Sequence, residues 1–72
     1  MSHVLIDASG RRVSLRVIFR YDPDVRSRLE NYAGARWDRR RRAWSVPARH
    51  LRAVTEELSG AGHRVRVVRD AA

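Results

Sequence analysis

Apolar and polar residues alternate along five stretches of this chain, and two intervening stretches repeat apolar residues at helical spacing. Over residues 3–7, Val4 and Ile6 alternate with His3, Leu5 and Asp7, which predicts a short strand. Ala8-Ser9-Gly10-Arg11 has turn composition. Residues 13–21 place Val13, Leu15, Val17, Phe19 and Tyr21 on one side and Ser14, Arg16, Ile18 and Arg20 on the other. That is the pattern of a half-buried antiparallel strand, paired with the first as a hairpin.

Asp22-Pro23-Asp24 predicts a helix start. Asp22 can cap free backbone amides, Pro23 suits the first helical position, and Asp24 complements the positive end of the dipole. Helix-start duty accounts for both aspartates without a metal. Val25, Leu29 and Tyr32 or Ala33 form the inward stripe, and Gly34 is expected to end the helix as a left-handed cap. Residues 47–59 predict a second helix with Leu51, Val54 and Leu58 inward and an Arg52–Glu56 pair on its surface. Gly60-Ala61-Gly62 stops it, residues 63–69 alternate as a last strand, and Asp70-Ala71-Ala72 reads as a frayed tail.

Residues 34–47 hold both tryptophans and four consecutive arginines, with a glycine at one end and a proline at the other. They predict a β-hairpin with Ala35, Trp37, Trp44 and Val46 on one face, Arg36, Asp38, Ala43 and Ser45 on the other, and Arg39, Arg40, Arg41 and Arg42 at its tip. The order is therefore β-β-α-β-β-α-β in a single domain, residues 1–72. The fold class is α+β: a small antiparallel sheet with two helices on one face and a split βαβ-like core. The other face is left open and would carry Arg16, Arg20, Arg64 and Arg66.

Charge changes the picture. Sixteen arginines and no lysine stand against eight acidic residues, a formal net charge of +8. A domain this basic attracts polyanions. No cysteine is present to form a disulfide or bind a metal, and no apolar run has signal-peptide or bilayer-spanning length. The expectation is a cytoplasmic protein without a membrane partner or cofactor. His3, His50 and His63 are isolated in sequence, and no serine sits in a nucleophile-elbow context, so no enzyme activity is expected.

Two readings of the hairpin stand side by side. The tryptophans suit a small core short of large side chains, or stacking on unpaired bases. The arginine run fits codon bias at a solvated turn. It also fits phosphate binding, because four like charges repel one another and tight turns favour Gly, Asn, Asp or Pro.

Gly34-Ala35-Arg36-Trp37-Asp38, a charged turn, and Trp44-x-Val46-Pro47 resemble the HARP (HepA-related protein) domain, and Phe19-Arg20-Tyr21-Asp22-Pro23 matches its leading part. The resemblance covers roughly residues 13–58. It implies a DNA-binding module that prefers branched or forked DNA, of the kind found beside Swi/Snf-type ATPase motors of annealing helicases. The chain has Arg39 where family members commonly have proline, which makes the tip more basic. With no lysine it has no Gly-rich phosphate loop, so any motor belongs to another chain.

The expected function is a non-enzymatic DNA-binding module that reads backbone and structure, an accessory in DNA repair or at replication forks and of bacterial or phage type. Its contacts would come from Arg39, Arg40, Arg41 and Arg42, flanked by Arg36, Arg49 and Arg52, with Trp37 and Trp44 behind them. Arg16, Arg20, Arg64 and Arg66 form a second candidate surface. The alternatives are RNA binding, or a protein-interaction or homodimer module. The latter would use the edges of the strands at 13–21 or 63–69, with Ile18 and Val68 exposed on the open face.

Overall fold

The computed structural model describes residues 2–10 and 13–69; Arg11 of the first turn and the tail Asp70-Ala71-Ala72 lie outside the described residues. Five strands, β1 (His3–Asp7), β2 (Ser14–Phe19), β3 (Arg36–Asp38), β4 (Ala43–Pro47) and β5 (Arg64–Val68), form one sheet in the order β3-β4-β2-β1-β5. Two helices, α1 (Pro23–Glu30) and α2 (Leu51–Gly60), follow β2 and β4. A 3-10 turn, Ala48–His50, leads into α2, so the second helix starts later than Pro47.

The sheet is mixed, where the alternation predicts an antiparallel one. β1 pairs antiparallel with β2 but parallel with β5. The reason is the inserted hairpin strand. In a four-stranded split βαβ, the last strand would pair directly with β2 and run against it. Here β1 occupies that place and already runs against β2, so β5, arriving over the α2 crossover, runs alongside β1. β2 lies between β4 and β1, so the edge proposed at residues 13–21 does not exist; the edges are β3 and β5.

One face of the sheet carries the core. Val4, Ile6, Leu15, Val17, Trp44 and Val46 pack against Val25 and Leu29 of α1 and Val54 and Leu58 of α2. Both helices therefore cover the same face. Strand β2 is shorter than its alternating stretch: Val13 and Tyr21 lie beyond its ends and are 87% and 74% exposed. Val13 still lends its carbonyl to the Ala48 N–H at 2.8 Å, which fixes the end of β4.

Asp22 caps α1 through Oδ1, accepting from the Asp24 and Val25 amides at 2.9 and 3.4 Å. The helix ends at Asn31, three residues before Gly34, and the chain then passes through turns closed by Tyr32 N–H to Leu29 O and Ala35 N–H to Tyr32 O, both at 3.1 Å. Gly34 is left-handed, at φ +83, but it redirects the chain into β3 and is not the cap of α1. α2 ends in a Schellman arrangement: His63 N–H reaches Leu58 O at 3.1 Å and Gly62 N–H reaches Ser59 O at 3.0 Å, with Gly62 left-handed.

His63 is not isolated. It is buried; its Nδ1 accepts from the Ser2 amide at 3.1 Å, so Nε2 carries the proton and donates to Asp24 Oδ2 at 2.7 Å. Arg28, first, and then His63 hold the Asp24 carboxyl below the usual carboxylate range. This knot ties the start of β5 to the start of α1. A second contact joins the 3-10 turn to the segment after α1: His50 Nε2 is 3.1 Å from Ala33 O and its ring leans on Tyr32.

Candidate nucleic-acid interface

The hairpin forms in the predicted register, with Trp37 opposite Trp44, Arg36 opposite Ser45 and Asp38 opposite Ala43. Gly34 and Pro47 fix its open end: a Cβ on Gly34 would lie 2.8 Å from Pro47 Cγ. At the closed end Asp38 Oδ1 accepts from the Arg40 and Arg41 amides at 3.0 and 3.2 Å, an Asx turn that holds the four-arginine loop. The loop closes through Arg42 at φ +51, a left-handed conformation that side chains other than glycine adopt at a cost.

The tryptophans divide. Trp44 lies on interior strand β4 and is 8% exposed within the core, whereas Trp37 lies on edge strand β3 and is 52% exposed. The two indoles meet edge to face, centroids 6.3 Å apart. Ala43, grouped by alternation with the polar face, is buried there. No helix covers that face, so the burial comes from neighbouring strands and the arginine-bearing loop.

On the open face, register aligns Arg36, Ser45, Arg16 and Asp7 in one row across β3, β4, β2 and β1. The hairpin tip reaches this row. Arg41 folds toward Asp38, its Nε 3.9 Å from Oδ2, and joins Arg16, Ser14, Ser45 and Ala43 around a depression of about 420 Å³. Arg16 Nε is buried with no hydrogen-bond partner among the described residues. Burying a guanidinium N–H unpaired is costly.

The remaining predicted residues are not one patch. Arg20, Arg64 and Arg66 gather with His3 around Leu5 and Ile18 in a second hollow of about 480 Å³ on the same open face. Arg49 and Arg52 do not flank the tip. They follow the far end of β4, about 17 Å along the strand from the loop, and Arg52 pairs with Glu56 at 3.1 Å.

Charge segregates by layer. The helical layer places the carboxylates of Asp22, Asp24, Glu30, Glu56 and Glu57 against the guanidiniums of Arg26, Arg28, Arg49 and Arg52. Ion pairs run Arg26–Glu30 at 2.8 Å, Arg28–Asp24 at 3.0 Å and Arg28–Glu57 at 3.3 Å. Among the described residues, the open face and tip carry Arg16, Arg20, Arg36, Arg39, Arg40, Arg41, Arg42, Arg64 and Arg66 against Asp7 and Asp38. Sequence alternation located most of these arginines. It missed the convergence of Arg41 with Arg16, which depends on how the loop folds.

Among the described residues no group of three or more His, Asp or Glu side chains is placed to hold a metal ion, and no helix is long and apolar enough to cross a membrane. Compared with protein-family models, with curated proteins and with solved structures, the chain matches none.

Proposed function

We propose that this chain is a non-enzymatic DNA-binding module that grips the phosphate backbone with the hairpin tip and the open face of its sheet. One observation carries the reading: among the described residues, nine arginines stand against two carboxylates on the open face and hairpin tip, while the opposite layer is nearly balanced. Such a surface attracts a polyanion and releases its counterions on binding. No strand or helix on it combines arginine with Asn or Gln at base-reading positions, so backbone and shape are what it reads. On this reading one phosphate would sit in the depression lined by Arg16, Arg41 and Ser45, with Asp38 also at its wall.

The HARP resemblance favours DNA over RNA, and forked or branched DNA over plain duplex. On that reading this module directs a motor ATPase to DNA. A homodimer through Ile18 is disfavoured by the arginines around it, since a second copy docking there would bring like charges together.

The test is a binding series with forked, duplex and single-stranded DNA and structured RNA, run on the wild type and Arg16→Met. The wild type binds forked DNA most tightly. Arg16→Met loses about five-fold or more in DNA affinity, the loss of one charge-assisted contact, while its melting temperature is unchanged or higher because an unpaired buried donor is gone. Undiminished DNA binding by Arg16→Met would contradict this placement of the phosphate, and absence of binding in every arm would contradict the function.

A further inference from the structure

The helix-side face of the same hairpin holds a feature that phosphate binding does not use. Phe19, Tyr21, Trp37 and Trp44, with Arg26, line a mostly apolar cleft of about 390 Å³. Two of its rings are costly to leave in water, Tyr21 at 74% exposure and Trp37 at 52%. A contiguous exposed aromatic patch on a small domain marks an interaction site. We propose that this cleft seats one unpaired nucleobase; the inference rests on the DNA-binding reading above and deepens it.

The chemistry of the lining selects the occupant. The Trp37–Trp44 pair is edge to face, at 64° between ring planes, which leaves an indole face uncovered by its partner. A flat π system fits such a face by stacking. The single charged side chain in the lining, Arg26, is already engaged with Glu30 at 2.8 Å, so the cleft itself does not call for an anion. The anionic part of the ligand has its own seat nearby: Arg39 lies two residues beyond Trp37, and Arg36 projects from the opposite face of the same strand. An uncharged ring tethered to phosphate meets both demands, whereas an apolar protein side chain meets only the first. Base and phosphate would then lie on opposite sides of the β3–β4 hairpin.

The experiment compares wild-type binding to three duplexes: blunt, with a short thymine overhang, and with the same overhang made abasic. The thymine overhang is expected to bind at least about five-fold more tightly than the abasic one, the lower end of base–aromatic stacking. Tryptophan fluorescence should be quenched by the thymine overhang and not by the abasic one, and Trp37→Ala should abolish the difference between the two. Equal affinity with no differential quenching overturns the cleft proposal. If blunt duplex is still bound in that case, the arginine surface stands and only the cleft fails; if no duplex is bound, both readings fail. Quenching that rises with protein concentration in the absence of DNA would assign the cleft to a second copy and overturn the proposal as well.

Discussion

Arg42 sets stability against the proposed function at a single residue. Its φ of +51 is the conformation for which the hairpin would be better served by glycine, yet the position carries a fourth consecutive arginine. Arg42→Gly should therefore stabilise the fold by about 1 kcal/mol, read from thermal or denaturant unfolding, while weakening DNA binding. A variant that is less stable would show that the Arg42 side chain supports the loop itself. Tyr32 offers a residue-level test of helix packing. Burial, and then the Glu57 carboxylate to which its hydroxyl donates at 2.5 Å, push its pKa up to about 12. The fold favours the neutral phenol, so this contribution is complete below about pH 10, the unfolded value, and is lost as pH rises toward 12. The wild-type melting temperature should fall over that interval, and Tyr32→Phe should flatten the fall. An equal decline in both proteins would remove Tyr32 as its cause.

At the scale of elements, the hairpin depends on its two ends. Asp38 holds the tip by accepting two backbone amides, and Gly34 meets Pro47 at the base. Gly34→Ala places a methyl 2.8 Å from Pro47 Cγ on a backbone at φ +83, so it should cost more than about 1 kcal/mol in unfolding free energy. A neutral result would mean that the base of the hairpin can shift freely. These elements were largely legible in the sequence, because alternation, the Asp-Pro helix start and the Gly and Pro punctuation are local signals. Strand pairing was not. Nothing local in residues 3–7 says that they will separate β2 from β5, and that insertion is what makes the sheet mixed. The same limit hid the His63–Asp24 contact, made between residues 39 positions apart. Trp37 and Trp44 read alike in sequence; only edge against interior placement distinguishes them.

For the whole molecule, the division into a charge-balanced helical layer and an arginine-rich sheet face explains how a +8 chain of 72 residues can fold. The helices pair their charges, and the core sits between them and the sheet. Like charges are spread over the open face and tip, where solvent and counterions screen them. The most direct test is the log–log salt dependence of duplex DNA affinity for the wild type, for a variant with Arg39, Arg40, Arg41 and Arg42 all changed to alanine, and for Arg49→Ala/Arg52→Ala. The tip variant should lose up to about 3.6 from the slope, because each phosphate contact contributes about 0.9, while the helix-layer variant stays close to the wild type. An unchanged slope in the tip variant, or an equal loss in the helix-layer variant, would contradict the account.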